Sequence, residues 1–554
     1  MRQVCFILTI DNDMMIDSIR LLCRVGKTVF LLSLMLVVSV WTAEAKTLHS
    51  QLTQFSVIAS VDMSLPDVHR FYSAREYQPV WVESNQPLSR LDDALAFIET
   101  ADAEGLNSAD YRLQRLRQLR SQIDHTANAL FELELGTTQA LLMLARDLKS
   151  GYLPASIADP DWHIPQQLFD PVPFLLEALA ADSLSSALVS LSPASPSYQL
   201  LKKALARYRK WVTNQTAWTQ LPDVSLIRPN GIHAVIPLIR NRIAEAYKLY
   251  DIAAYNIKQD QSKHYDDALV NAIKVFQAQH GLNADGVIGK KTVRALNMTP
   301  EGKIRQLRLN LERLRWLPAH LGERYLLVNI AGFRLTAVER GEPALDMRII
   351  VGHDYRSTPS FSSRVTHLII NPFWNIPASI ARQDLLPKQQ RDPGFFEKQG
   401  IKVYQNYDYN SEPLDPDSID WQAIRKGFPY ILRQDPGVKN ALGTIKFMLP
   451  NPFSIYLHDT PSKSLFQRDV RTFSSGCIRL EKPMALAGIA LNKTGVVPDL
   501  VAKMREGKTT TVNLSKPLPI YIVYMTAWVD EKSSVHYSPD IYGRDARALN
   551  FARW

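Results

Sequence analysis

The spacing of apolar residues changes once along this 554-residue chain, near Tyr325, and that change limits the fold more than any other feature. Upstream, apolar residues recur every three or four positions, as in Leu91, Leu95 and Ile98, which is the period of an amphipathic helix. Downstream, short runs rich in β-branched residues are bounded by Gly, Pro or Asn, as in residues 326–330 and 365–370. The pattern predicts a multidomain α+β chain, helical first and then β-rich and β-sandwich-like.

Composition excludes several classes of protein but leaves open which polyanionic environment the chain occupies. A hydrophobic share of 46% is too high for a disordered chain, and 23 Gly are too few for a collagen-like one. The net charge of +9 favours a polyanionic environment, such as a cell wall, an anionic membrane face or nucleic acid. No basic run interleaved with aromatic residues is present, which argues against nucleic acid.

The N-terminus resembles an export signal. Residues 28–43 are uncharged, follow Arg20, Arg24 and Lys27, and lead into Ala43-Glu44-Ala45, a small-x-small cleavage pattern. Such a stretch spans only about 24 Å as a helix, which is short for a hydrocarbon core of about 30 Å. We therefore predict that residues 1–45 are a cleaved signal peptide, with an uncleaved anchor as the alternative.

The cysteines direct attention to one position. Two of the three, Cys5 and Cys23, precede the predicted cleavage point, so the mature chain would carry Cys477 alone and could form no internal disulfide. A lone thiol in an oxidising compartment is a liability unless it is buried and inert or has a function.

The surroundings of Cys477 favour a function. His458 follows a short apolar run, residues 455–457, and so is predicted at the end of a strand. Ser-Ser-Gly before the thiol is typical of a tight turn, and the charge of Arg479 favours the thiolate. A cysteine beside a histidine is a minimal activated nucleophile. The 12 His include no His-x-x-x-His pair, and one mature Cys cannot form a thiolate cage, so we predict no metal and no cofactor.

These residues resemble a known family. The step of 19 residues from His458 to Cys477, closed by Ser-Ser-Gly-Cys-Ile-Arg, is similar to the His…Ser/Thr-His-Gly-Cys signature of L,D-transpeptidases with a YkuD-type catalytic domain. Segments that begin at Asn310, Val351, Asn371 and Asn440 resemble the large periplasmic, YcbB-like class of that family. Ser475 stands where the signature has His, which puts any substrate contact of that imidazole in doubt.

The resemblance implies roles for individual residues. Cys477 would be the nucleophile, and His458 the general base and then the general acid. Asp459 would orient His458, commonly through its backbone carbonyl; a carboxylate that points to solvent is the alternative. The backbone N–H groups of Gly476 and Cys477 would hold the oxyanion. Arg479 would bind a substrate carboxylate or brace the loop. The further substrate-binding candidates are Ser474, Ser475, Trp374 and Asn375.

The resemblance also implies a reaction. Cys477 would attack the third residue of a donor tetrapeptide stem of peptidoglycan, and a diaminopimelate amine of an acceptor stem would resolve the thioester into a 3→3 cross-link. Carbapenem-type inhibitors, a periplasmic location and other enzymes of wall synthesis as partners are expected with it. Wall hydrolysis or lipoprotein attachment by the same thiol stays open, and so does a non-catalytic peptidoglycan-binding scaffold.

The predicted domain order follows from the pattern and the resemblance together. Residues 1–45 are the signal, 46–225 a helical scaffold domain, and 226–300 a peptidoglycan-binding domain. Residues 305–528 are the catalytic domain, whose Pro-rich stretch at about 378–434 is predicted to be a lid insertion. Residues 529–554 form a C-terminal tail without an interpretable pattern.

Overall fold

The computed structural model describes residues 65–83, 86–122, 127–214, 218–250, 260–493, 497–530 and 532–552. The predicted signal peptide lies outside them. The chain divides into two compact units: the first comprises Met1–Ala101, Asn107–Arg146 and Asp170–Val189, and the second comprises Asp102–Leu106, Asp147–Phe169 and Ser190–Trp554. Across the described residues, we find no helix with the length and apolar character needed to cross a membrane.

Helices account for most of the chain as far as Arg315, as the hydrophobic period predicts. Their bounds are α1 Leu65–Ala74, α2 Ser89–Glu99, α3 Leu113–Arg120, α4 Ala127–Ser150, α5 Ala155–Ala158, α6 Pro171–Ala180, α7 Leu184–Val189, α8 Pro196–Asn214, α9 Ile236–Tyr250, α10 Asp267–Gln279, α11 Lys290–Leu296 and α12 Pro300–Arg315. A two-residue hairpin, β1 Val82–Glu83 and β2 Gln86–Pro87, lies between α1 and α2.

The first unit has a buried polar centre as well as an apolar core. Leu91, Leu95 and Ile98 are buried, as their spacing predicts. The carboxylate of Glu134 accepts hydrogen bonds from the backbone N–H groups of residues 80, 81 and 82 and from the Tyr72 hydroxyl. Because these bonds pair the carboxylate with donors that would otherwise be buried and unsatisfied, Glu134 fixes the chain that enters the hairpin.

Helices α9, α10 and α11 form a small bundle around a core that includes Ile239, Ile243, Leu269, Ile273 and Phe276. The Asp266 side chain caps α10 by accepting from Leu269 N–H. The buried Gln277 amide accepts from Gly286 N–H and donates to the Val287 carbonyl, both at 2.9 Å, and so holds the loop that leads to α11.

His280, at the end of α10, is a buried titratable group. Its ring stacks on Phe276 at 3.9 Å and on Tyr537 at 5.6 Å, and Lys303 lies beside it. Burial first, and then the charge of Lys303, holds the pKa of His280 well below its ordinary value.

We expect acid to destabilise the fold through His280. The unfolded imidazole binds a proton as the pH falls through about 6.5 and the folded one does not, so stability is full above that pH and falls by about 1.4 kcal/mol per pH unit below it. Thermal unfolding at pH 7.5 and 5.5 will show a smaller loss for His280→Phe, which keeps the ring stack, than for the wild type. Equal losses in both proteins would assign the acid sensitivity to other groups.

From Tyr325 onward the chain forms a β-rich domain, which confirms the predicted change of fold. Its main strands are β3 Tyr325–Asn329, β4 Arg334–Glu339, β5 Glu342–Gly352, β6 Phe361–Ile370, β10 Ile445–Met448, β11 Leu457–His458, β12 Thr472–Ser474, β13 Ile478–Leu480 and β14 Thr510–Val523. They build one nine-stranded mixed sheet in the order β12-β5-β13-β11-β10-β6-β14-β3-β4, and β4 also pairs with β5. Helices α16 Pro483–Ala490 and α17 Pro498–Arg505 follow β13, and α16 packs into the core of the sheet.

A folded insertion, residues 371–444, separates β6 from β10. It contains the three-stranded antiparallel sheet β7 Trp374–Ile376, β9 Ile431–Gln434 and β8 Ile401–Tyr404, and the helices α13 Ala378–Ile380, α14 Leu386–Arg391 and α15 Phe395–Gln399. Its own apolar cluster includes Phe396, Val403, Trp421 and Leu432. The Pro-rich pattern hid this core, because no periodic run in the stretch exceeds a few residues.

The C-terminal segment is an ordered part of the second unit. It contains the hairpin β15 Ala527–Val529 and β16 Val535–Tyr537 and the helix α18 Arg544–Leu549. Arg544 is fully buried and donates to the Thr358 carbonyl at 2.9 Å, and the Tyr542 hydroxyl donates to the Gly352 carbonyl at 2.5 Å. The segment therefore holds residues 352–358 in place.

Candidate active site

Cys477 lies in a tight turn, residues 474–477, between β12 and β13. Gly476 has φ +112°, a backbone conformation that an L side chain rarely adopts. The Ser474 hydroxyl donates to the Cys477 carbonyl at 2.5 Å and accepts from Gly476 N–H at 3.2 Å. The Thr358 hydroxyl donates to the Gly476 carbonyl at 2.8 Å. Hydrogen bonds within the turn and one from Thr358 therefore hold the turn in place.

His458 lies on β11, which pairs in parallel with β13 so that His458 is the register partner of Arg479. Its Nδ1 is 2.5 Å from the Asp459 carbonyl oxygen, which can only accept, so Nδ1 carries the proton and Nε2 keeps a lone pair. Burial, and then the charge of Arg479, lowers the pKa of His458 to about 3. The imidazole is therefore neutral at physiological pH and can act as a proton acceptor.

The Asp459 side chain points into the protein and not toward solvent. Its carboxylate accepts from Thr444 N–H and from the Thr444 hydroxyl at 3.0 Å each, and from Lys463 Nζ at 2.5 Å. A Cβ on Gly443, which has φ +62°, would overlap this carboxylate. Asp459 thus holds His458 through its backbone and anchors the start of β10 through its side chain.

We expect Gly443→Ala to disturb this arrangement strongly. The added methyl group overlaps the Asp459 carboxylate and forces φ > 0 on alanine, for a loss of unfolding free energy of about 1–3 kcal/mol. Gly507→Ala is the matched control, because Gly507 has φ +71° and no other atom lies within 4 Å of the position that a Cβ would occupy there. Denaturant unfolding of both variants will separate the overlap from the backbone effect; equal losses would show that the overlap adds nothing.

The thiol of Cys477 is half-buried and packs against the core of the sheet. Burial raises its pKa above the ordinary value, whereas hydrogen bonding from Tyr456 and the charges of Lys446 and Arg479 act in the opposite direction. Tyr456 in turn interacts with the Trp374 side chain, and Lys446 Nζ lies 3.8 Å from the centre of the Tyr456 ring. At rest the thiol and the His458 imidazole are both neutral.

We therefore expect the alkylation of Cys477 by iodoacetamide to accelerate with pH beyond about 8.5, the ordinary thiol pKa. Lys446→Met will move the midpoint upward, because it removes a charge that stabilises the thiolate. Peptide-resolved mass spectrometry from pH 5 to 10 measures both effects. A rate that levels off below pH 7 would instead indicate a thiolate–imidazolium pair.

Arg479 brings an uncompensated positive charge to this site. Within the described ranges it forms no ion pair, and its buried Nε has no hydrogen-bond partner. Burial lowers its pKa, and the neighbouring Cys477 opposes that effect. A half-buried guanidinium without a partner is suited to bind a carboxylate.

Ser475 is the exposed member of the turn, and it contacts a residue that the sequence analysis did not single out. Its hydroxyl accepts from Arg356 Nη1 at 2.9 Å. The same guanidinium donates to Asp384 at 2.5 Å, to Gln383, and to the Ser379 carbonyl at 3.5 Å, all in the insertion. Arg356 thus joins the turn that carries the thiol to the helices of the insertion.

The structure brings together only part of the predicted set. Trp374 reaches the thiol through Tyr456, whereas Asn375, the next residue of β7, is exposed and points to the opposite face of the strand. Ser474 is buried and both hydrogen bonds of its hydroxyl stay within the turn, so its predicted contact with substrate requires the turn to open. Gly476 N–H, a predicted oxyanion donor, is bonded to the Ser474 hydroxyl and also becomes available only if the turn opens. In the described chain the Cys477 N–H, the other predicted donor, makes no hydrogen bond.

Sequence reasoning missed Tyr456, Lys446, Thr358, Tyr542 and Arg356. One of them carries a usable signal: Tyr456 lies two positions before His458, on the same side of an extended segment. Lys446 is the register partner of His458 on β10, and the sequence does not specify that register. The other three come from segments far apart in the chain, which no local pattern connects. Among the residues that the structure describes, no cluster of His, Cys, Asp or Glu could hold a metal ion.

Three family models match the chain. Residues 323–498 match the L,D-transpeptidase catalytic domain, residues 246–296 the "Putative peptidoglycan binding domain", and residues 66–205 the "Scaffold domain". The second unit therefore carries an L,D-transpeptidase catalytic domain, with the site above inside it, preceded by a peptidoglycan-binding domain.

Individual proteins are also similar to parts of this chain. The chain is 35% identical over 313 residues to a protein of Haemophilus influenzae named "Putative L,D-transpeptidase"; the match covers 55% of this chain and 62%, less than two thirds, of that relative. Crystal structures of L,D-transpeptidases from Xylanimonas cellulosilytica and Stackebrandtia nassauensis are similar at 13% and 12% identity, with TM-scores of 0.19 and 0.21. They cover 56% and 55% of this chain and 100% and 97% of their own.

Proposed function

We propose that this chain is an L,D-transpeptidase of the cell envelope that forms 3→3 cross-links between peptidoglycan stem peptides through an acyl-enzyme on Cys477. The observation that carries the proposal is the placement of the Cys477 turn at the start of β13, the strand next to that of the neutral His458, whose Nδ1 is committed to the Asp459 carbonyl. Such a pair supplies a nucleophile and a base with a free lone pair, which acyl transfer requires.

In the first half-reaction, His458 Nε2 takes the Cys477 proton as sulfur attacks the carbonyl carbon of the third residue of the donor stem. The Cys477 N–H, which has no other acceptor among the described residues, supports the oxyanion. The C–N bond to the terminal D-alanine then breaks, and the imidazolium returns its proton to the leaving amine. A thioester on Cys477 remains.

In the second half-reaction, a diaminopimelate amine of the acceptor stem attacks the thioester. His458 takes a proton from that amine and gives it to the departing sulfur, so the thiol is restored. The low pKa of His458 keeps the imidazole unprotonated before each step, at the cost of weak basicity. Arg479, unpaired in the resting site, is the residue we assign to a stem carboxylate.

The test is intact-protein mass spectrometry of the purified chain mixed with isolated tetrapeptide muropeptides, with the products analysed in parallel. We expect an acyl adduct on Cys477 and a muropeptide dimer that lacks the donor D-alanine. An adduct with only monomeric tripeptide would replace cross-linking by hydrolysis. Absence of both adduct and product would leave a peptidoglycan-binding scaffold as the better account.

A further inference from the structure

A groove of about 450 Å³ lies where the α10–α11 loop of the peptidoglycan-binding domain meets the segment before β12. One wall belongs to the binding domain and the other to the catalytic domain; the lining residues include Asn283, Lys291, Leu465, Arg468, Val470 and Phe473. A groove of this size that combines apolar side chains with a few polar groups is typical of ligand sites.

The two walls are fixed to each other by one carboxylate. Asp469 accepts from Asn283 N–H at 2.9 Å and from Lys291 Nζ at 3.0 Å, and its side chain is only 15% exposed. Both carboxylate oxygens are therefore committed to the binding domain. The groove is formed before any ligand arrives, which reduces the entropy that binding must offset.

The groove presents the aromatic side chain of Phe473 and the cation of Arg468. Phe473 lies in a T-shaped contact with His353, whose ring is parallel to that of Tyr355 at 5.1 Å, and Tyr355 is 67% exposed. In the described part of the chain the Arg468 side chain has neither an ion-pair nor a hydrogen-bond partner. A flat aromatic ring beside a polar donor suits a ligand with apolar C–H faces and polar edges, as sugar rings have.

The separation of the groove and the thiol is of the same order as the length of a donor stem. Phe473 and Cys477 are four residues apart, so at most about 14 Å of chain separates them. The carbonyl that Cys477 would attack belongs to the third residue of the stem, which places it about 10–11 Å from the sugar that carries the stem. A donor bound at Cys477 with its stem extended toward β12 would bring that sugar to the groove.

We propose that this groove binds the amino-sugar glycan strand that carries the donor stem, with Phe473 as the stacking surface and Arg468 as the polar contact at its edge. The inference rests on the proposed function, because the stem length enters through the reaction at Cys477. It makes the binding domain one wall of the donor site.

The test compares two donors: a free tetrapeptide and the same tetrapeptide on its disaccharide. For the wild type we expect kcat/KM to be about tenfold higher with the disaccharide. Phe473→Ala and Arg468→Ala will each reduce that ratio toward one, and Phe551→Ala, a half-exposed aromatic residue outside the groove, will retain it. Because the ratio is taken within each variant, general damage to the Cys477 turn cancels.

A wild-type ratio near one, or a ratio that neither groove variant changes, would overturn the proposal while leaving the transpeptidase assignment intact. Calorimetric binding of the disaccharide tetrapeptide to Cys477→Ala, with and without Phe473→Ala, tests the groove without turnover. A loss of affinity of about tenfold supports the groove even if cross-linking fails, and equal affinities contradict it.

Discussion

Cys477→Ala will form no acyl adduct with a carbapenem, and its rate of cross-linking will fall by at least about 10⁴-fold, because it removes the thiol to which the acyl group is transferred. Cys477→Ser will be almost as inactive. A hydroxyl is far harder to ionise than a thiol, and a histidine with a pKa of about 3 is too weak a base to activate it.

Intact mass spectrometry after exposure to a carbapenem measures the adduct, and muropeptide analysis measures cross-linking. Retention of isolated sacculi by Cys477→Ala serves as the control for folding, since peptidoglycan binding does not need the thiol. An adduct on Cys477→Ala would remove Cys477 from the role of nucleophile.

His458→Ala will slow acylation by about 10²–10⁴-fold, the usual contribution of a general base. Asp459→Asn is the informative partner variant. It keeps the backbone carbonyl that holds His458 Nδ1 but weakens the bond of the side chain to Lys463. We therefore expect Asp459→Asn to lower stability while acylation falls by about tenfold or less.

The rate of adduct formation and the midpoint of denaturant unfolding, measured on both variants, separate these effects. If Asp459→Asn slows acylation as much as His458→Ala does, the carboxylate and not the carbonyl orients the imidazole. If His458→Ala acylates at the wild-type rate, the base is another residue.

The outline of the fold could be predicted from the sequence, because helical and strand periods are local properties. The spacing of Leu91, Leu95 and Ile98 predicts α2, and the β-branched runs after Tyr325 predict β3 to β6 within a few residues. The pairing of β4 with β5 is a local two-residue hairpin, whereas the sheet closes because β5 also pairs with β13, a segment about 130 residues further along the chain, and the pattern of one strand does not specify such a distant partner. The core of the insertion was not predictable either, because its residues come from several short segments without a periodic pattern.

The candidate site also has parts that the local sequence predicts and parts that depend on the assembled fold. Cys477 and His458 are recognisable because the motif places both within one short segment. Whether Asp459 acts through its carbonyl or its carboxylate depends on Thr444 and Lys463, and the sequence left that choice open. The charge of Arg479 suggested a low thiol pKa, whereas burial is the larger effect and raises it. Burial of a particular atom is a property of the assembled fold.

Arg356 has a consequence for how inhibitors and substrates enter. The guanidinium of Arg356 donates both to the Ser475 hydroxyl and to the Asp384 carboxylate. A displacement of the insertion therefore disturbs the hydrogen bond that holds Ser475 in the Cys477 turn. By linkage, a ligand that binds better when residues 379–384 are displaced also loosens Ser475, and a ligand held by the turn shifts the insertion by an equal free energy. Affinity at the thiol can therefore be altered from the insertion, at a surface that the reacting atoms never touch.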